Sequence, residues 1–148
     1  MNVIYVDEKT ISGLNARTNN QNEMNPNTGK IAPLVQRFDE SVSVNYRAGA
    51  RVYSVYYDYE SDASGDYSVL IGADAVESSS LELSELKIQA GNYLVFSAQG
   101  QVPQIVIETW GNIWRYFSSE DCAHARAYVT DFEFYKSQNE IEIHIGIK

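Results

Sequence analysis

An α+β fold, with one antiparallel sheet carrying two helices on the same face, follows from three features of the chain. Strand-like runs outnumber helical ones, and exactly the two long amphipathic stretches interrupt them. The elements also recur in one order, strand, helix, hairpin, then strand, helix, hairpin. That recurrence predicts a single domain over 1–148 built from a duplicated β-α-β-β unit, with pseudo-repeats of about 1–76 and 77–148. Two helices side by side on a sheet leave a central groove between them, and clefts between elements are where small ligands bind.

The first strand covers Val3 to Val6 and runs on through Thr10 to Arg17, with Gly13 as a bend or bulge. Asn19 to Asn27 has loop chemistry throughout. Ile31, Leu34, Val35 and Phe38 then recur at helical spacing, with Pro33 tolerated in the first turn. Val52 to Glu60 and Tyr67 to Asp74 read as strands, joined by a hairpin turn at Ser61 to Asp66. Polar Glu77 to Ser80 separates the halves. Leu86 to Phe96 resumes as extended chain with a bend at Ala90-Gly91-Asn92. The strongest helix spans Pro103 to Ser118: proline suits a first turn, and Val106, Trp110, Ile113 and Phe117 share a face that Trp114 widens. Tyr128 to Lys136 and Glu140 to Lys148 form a second hairpin. Its last strand alternates Ile141, Ile143, Ile145 and Ile147 with Glu142, His144 and Gly146, the pattern of a half-buried strand. A weak internal echo pairs Tyr56-Tyr57-Asp58-Tyr59 and Ile71-Gly72 with Phe132-Glu133-Phe134-Tyr135 and Ile145-Gly146.

Bulk properties narrow the function. A net charge of −9 argues against direct contact with nucleic acid, which needs a basic face, and favours a cationic ligand. An acidic surface also serves solubility alone. No apolar run reaches transmembrane length, the N-terminus lacks a signal-peptide pattern, and Cys122 is the single cysteine. The expectation is a cytoplasmic protein without disulfides, cofactor or membrane contact. The 11 tyrosines stand out, because each brings an apolar ring and a hydroxyl that needs a partner.

Metal and catalytic readings weaken on spacing. Asp58, Glu60, Asp62 and Asp66 suggest a calcium loop, but Ala63 and Val69 stand where the turn glycine and bidentate glutamate belong. His124 and His144 have no partners at zinc spacing, and Cys122 near His124 in a polar loop reads as a bystander. The aromatic residues are more informative. For any one of them core packing is the simpler reading, yet together they are numerous enough to line a cavity, where their faces attract cations. Glu133 shares a strand face with Asp131 and Tyr135 and points away from Phe132 and Phe134. On a solvated face it is unremarkable. In a groove, an ionised carboxylate among aromatic rings demands a cation or a proton.

The ordered segments Ile11 to Thr18, Tyr56 to Glu60, Asp66 to Gly72, Ile88 to Phe96, Trp110 to Trp114, Asp131 to Tyr135 and Ile141 to Lys148 resemble the GyrI-like effector-binding domains. That family occurs fused to AraC-type and MerR-type transcription regulators and as free-standing proteins, including ones on integron cassettes. The resemblance implies a ligand groove on the two-fold axis, with Glu133 facing cationic, lipophilic compounds, as in multidrug binding. Trp110, Tyr57, Tyr59 and Tyr93 become aromatic walls, and Phe96, Tyr135 and Trp114 complete the candidate ligand-binding set. The family also includes gyrase inhibitors and hydrolases of strained small molecules, so a hydrolase using Glu133 and a protein-interaction role stay open beside ligand binding. No segment reads as a helix-turn-helix, so regulation would pass through a separate regulator protein. A homodimer would pair through the sheet face that carries no helices.

Overall fold

The computed structural model describes residues 1–148. In chain order the elements are β1 (Asn2–Val6), β2 (Lys9–Thr18), α1 (Asn20–Glu23), α2 (Ile31–Ser41), β3 (Val42–Ser43) and a short 3-10 turn at Tyr46–Ala48. Then come β4 (Val52–Tyr57), β5 (Tyr67–Ala73), β6 (Ser78–Ser79), β7 (Ser84–Ile88), β8 (Gly91–Gln99), α3 (Gln104–Ser118), β9 (Arg126–Ser137) and β10 (Glu140–Ile147). The main sheet is antiparallel in the order β1-β8-β10-β9-β4-β5-β2-β7, and β3 and β6 pair separately. Its inner strands read alike from either end, β8-β10-β9 against β2-β5-β4, so β2-α2-β4-β5 and β8-α3-β9-β10 are two copies of one unit meeting at β4 and β9.

The predicted first strand is two strands, and they belong to opposite edges. β1 pairs with β8, and β7 pairs with β2, so each half lends its leading strand to the other. Val6 sits beside Gly91 and Lys9 beside Ile88, yet only Asp7 and Glu8 link Val6 to Lys9. Three Cα–Cα steps reach about 11 Å. A flat sheet would hold β8 and β2 about 24 Å apart, five strand spacings. The sheet therefore curls until its edges nearly meet. Gly13 and Gly72 face each other across β2 and β5, where a Cβ on either would overlap the opposing strand's backbone.

Inside the curl lie Ile11, Tyr53, Val55, Leu70, Ile88, Tyr93 and Phe132, all buried. His144 joins them, stacked on Phe132 with ring centroids 4.3 Å apart. The face opposite the helices is thus a closed core, not the open pairing surface that the sequence suggested for a second copy. The internal echo shifts as well: Tyr56 faces the helices while Phe132 lies inside the curl, so those two aromatic segments align one residue out of phase.

Burial pushes the His144 imidazole down to about 4, partly offset by a hydrogen bond with the Glu142 backbone. An unfolded histidine takes up its proton near 6.5, so between those values the unfolded chain binds more protons than the folded one. Stability from this residue is complete above pH 6.5 and drains away as pH falls toward 4, by roughly 3 kcal/mol in total. His144→Phe is expected to flatten this part of the stability curve, read as urea midpoints from pH 4 to 7. An unchanged slope would assign it to other groups.

On the outer face a single row crosses the sheet: Leu14, Ile71, Ser54, Glu133, Ile143 and Phe96, each paired with the next. Leu34 and Phe38 of α2 pack with Leu14 and Ile71 in one cluster, and Ile113 of α3 packs with Ile141, Ile143 and Ile145 in another. Each such side chain contributes about 1.5–3 kcal/mol on burial. The two helices share one face, and Glu133 lies in the row between their footings. The Asn-rich run read as loop contains α1, because Asn19 accepts from the Asn22 amide at 2.8 Å as an N-cap.

Candidate functional site

Strand alternation in β9 turns Asp131, Glu133 and Tyr135 toward the helices. Ser54 lies opposite Glu133 on β4, and Tyr56 lies one step along that same face. Glu133 is only 2 % exposed. Its Oε2 accepts the Tyr56 hydroxyl at 2.7 Å and the Trp110 indole N–H at 2.7 Å, and its Oε1 accepts the Tyr135 hydroxyl at 2.5 Å. None of the protein's ion pairs includes it. The sequence left Glu133 open between solvated and buried positions. The structure places it in the buried one.

The three donors come from three elements. Trp110 reaches the carboxylate from α3 and packs against both helix-side clusters, which fixes the indole between the helices. Burial raises the Tyr56 and Tyr135 hydroxyls well above their ordinary range, and the Glu133 charge raises them further, so both remain donors. Ring contacts continue outward from Trp110 to Trp114 at 6.1 Å. In the other direction they run from Trp110 to Tyr56 at 5.4 Å, Tyr56 to Tyr67 at 5.6 Å, Tyr67 to Tyr59 at 6.0 Å and Tyr59 to Tyr128 at 5.6 Å. At the surface Trp114 is 40 % exposed, and Ile107, seven residues before it on α3, is 68 % exposed.

A second carboxylate follows along β9. Asp131 is fully buried, and its Oδ2 accepts from Arg126 Nη2 at 2.6 Å and from the Tyr59 hydroxyl. Its Oδ1 accepts the Gly146 amide at 2.9 Å. The arrangement offers charge, aromatic faces and hydrogen-bond acceptors, the means of holding an organic cation. An open recess of about 650 Å³ lies elsewhere, among Gly100, Gln101, Ser137, Gln138 and Asn139 at the tip of the β9–β10 hairpin, with no hydrophobic residue in its lining.

The profile of the GyrI-like small molecule binding domain matches residues 1–148. The chain belongs to that family. An integron cassette protein from the mobile metagenome of Vibrio cholerae, known from its crystal structure, is 38 % identical, with a TM-score of 0.91 over 99 % of this chain and 95 % of that one. YobU of Bacillus subtilis, whose name assigns it provisionally to transcriptional regulation, is 27 % identical over 99 % of this chain and 96 % of its own length. A protein solved bound to tetraphenylphosphonium shares the fold at 19 % identity and a TM-score of 0.64, with 99 % and 93 % of the two chains covered. This GyrI-like domain is thus a small-molecule binding domain, and none of its helices is long and apolar enough to cross a membrane.

Of the residues singled out from the sequence, the GyrI-like domain brings Glu133, Trp110 and Tyr135 into direct contact, sets Trp114 beside Trp110 with the rings tilted, and binds Tyr59 to Asp131. Phe96 shares the outer face but sits two strands from Glu133, packed on Tyr116 and Phe117. Tyr57 and Tyr93 are on the wrong face for walls of this site. Tyr57 packs against the core of the curl and accepts from Asn15 Nδ2 at 3.3 Å, and Tyr93 is buried there with its hydroxyl on the Gln89 carbonyl at 2.6 Å. Alternation alone forbids Tyr93 and Phe96 from sharing a face, three residues apart in one strand. Tyr57 and Tyr59 would share one, but Asp58 takes φ 52° and turns the chain over between them. The candidate ligand-binding set left out Tyr56, counted only among the aromatic residues at large, which has the same parity as Ser54 opposite Glu133, and Arg126 and Tyr128, which only the folded strand brings close.

Proposed function

We propose that this GyrI-like domain binds a lipophilic organic cation in the groove between α2 and α3, with Glu133 as counter-ion and Trp110, Tyr56 and Tyr135 as its aromatic surround. The observation that carries this reading is a carboxylate 2 % exposed that has three neutral donors and no cation. A buried charge without a counter-ion is unfavourable, and a ligand cation relieves it. Each ring face in contact with that cation adds about 0.5–2 kcal/mol. Exposed Ile107 and Trp114 give an apolar approach, and the net charge of −9 draws cations toward it. The neighbour bound to tetraphenylphosphonium, similar in fold, supports the same ligand class. Because Trp110 now seals Glu133, the ligand enters by displacing the indole. The cassette and regulator relatives support a sensing or sequestering role.

Tryptophan fluorescence titrated with tetraphenylphosphonium and with a neutral tetraaryl compound of the same size tests the reading. Saturable quenching by the cation alone is expected. Equal quenching by both, or by neither, overturns it. Tyr57→Phe and Tyr93→Phe are expected to leave the cation Kd within about twofold, since both rings lie behind the sheet. A tenfold loss at either would move the ligand inside the curl.

A further inference from the structure

Asp131 and Glu133 stand two residues apart on one face of β9, so their side chains emerge about 7 Å from each other. Extended chain would hold Arg126 about 16 Å from Asp131. They meet because β9 departs from regular pairing: Asp131 opposes Ile145 but Arg126 opposes Ile147, and Tyr128 between them takes φ 54°, unusual for a tyrosine. This detour sets the Arg126 guanidinium 4.5 Å from the Tyr128 ring and 5.9 Å from the Trp110 ring, with Nη2 on the Asp131 carboxylate at 2.6 Å. Tyr59 closes the group by donating to Asp131 and packing edge-on against Tyr128. A carboxylate and two aromatic faces are what a free organic cation would seek. Arg126 is 8 % exposed, and its Nε is buried without a hydrogen-bond partner, so the surroundings accept the charge without matching the whole fork. Trp110 belongs to both groups, its N–H on Glu133 and its face toward Arg126.

We propose that Asp131, Tyr59, Tyr128 and Trp110 form a second cation site beside Glu133, filled in cis by the Arg126 guanidinium, and that this internal occupant restricts the groove to ligands with one positive charge. Two buried carboxylates and one buried guanidinium leave one negative charge to be met from outside. Vacated, the second site takes a guanidinium or small alkylammonium cation. The restriction on ligand charge rests on the reading of Glu133 given above; the second site does not.

Arg126→Ala empties the site. Methylguanidinium chloride in the millimolar range is expected to raise the melting temperature of this variant and to quench its tryptophan fluorescence saturably, with sodium chloride at equal ionic strength inert and the unsubstituted protein unresponsive. A variant that responds no more than the unsubstituted protein overturns the second site. Should the variant be recovered unfolded, refolding with methylguanidinium but not sodium chloride supports the site, and failure with both overturns it. For the charge restriction, tetraphenylphosphonium is compared with an (ω-ammonioalkyl)triphenylphosphonium dication, whose second head is small enough for the vacated site. Arg126→Ala is expected to shift the affinity ratio at least tenfold toward the dication, and Arg126→Lys to leave it unchanged. An unshifted ratio overturns the restriction. An unsubstituted protein that binds neither phosphonium overturns the restriction together with the Glu133 reading, while methylguanidinium still decides the second site.

Discussion

Glu133→Gln is expected to weaken tetraphenylphosphonium binding about a hundredfold and a neutral analogue less than about threefold, measured by fluorescence titration or calorimetry. Glutamine keeps the shape and one acceptor oxygen, which serves Tyr56 and Trp110 where Oε2 now does. The amide nitrogen cannot accept from Tyr135, so one hydrogen bond of 2.5 Å is lost, but that loss falls on every ligand alike. Only the charge separates cation from neutral compound. Truncating one side of a desolvated charge pair costs about 2–5 kcal/mol, and a hundredfold is about 2.7 kcal/mol, well inside that range. The variant is expected to fold, because removing an uncompensated buried charge relieves desolvation as it removes one hydrogen bond. Parallel losses for cation and neutral compound would mean that Glu133 organises its aromatic neighbours and does not read charge.

What the sequence disclosed follows from how local each signal is. The 3.6-residue stripe of Val106, Trp110, Ile113 and Phe117 and the isoleucine alternation of β10 are internal to their elements, and both were legible. The face of Glu133 was legible for the same reason, since Phe132 and Phe134 flank it. Its burial was not: Tyr56 is 77 positions away, and the contact exists only because β4 and β9 pair in one register. The fate of Tyr93 depended on the curl of the sheet, which comes from the exchange of β1 and β7 between halves. Tyr57 was lost to a single backbone angle at Asp58, and Arg126 was hidden by another at Tyr128. That Tyr93 and Phe96 cannot share a face was legible from their parity in β8. The other failures lie where the chain departs from strict alternation or where partners are distant in sequence, and the site is built from those departures.

Asp131→Ala is expected to lower the melting temperature by about 10–15 °C, read by calorimetry or circular dichroism. Asp131 has no exposed surface and accepts from Arg126, Tyr59 and the Gly146 amide. Its removal leaves the Arg126 guanidinium buried without a counter-charge, which costs about 3–5 kcal/mol. For a chain of this length each kcal/mol corresponds to roughly 3 °C. Removing both partners, Arg126→Ala with Asp131→Ala, takes away the uncompensated charge along with the pair, so the double variant is expected to be less destabilised than the sum of the singles by about 2–3 kcal/mol. The Gly146 amide and Tyr59 hydroxyl stay unpaired in either case, which keeps the double variant below the parent protein. Additive losses would show that the 2.6 Å contact brings no net attraction between Arg126 and Asp131. Their charges would then contribute separately, and the second carboxylate of β9 would be held by its neutral donors alone.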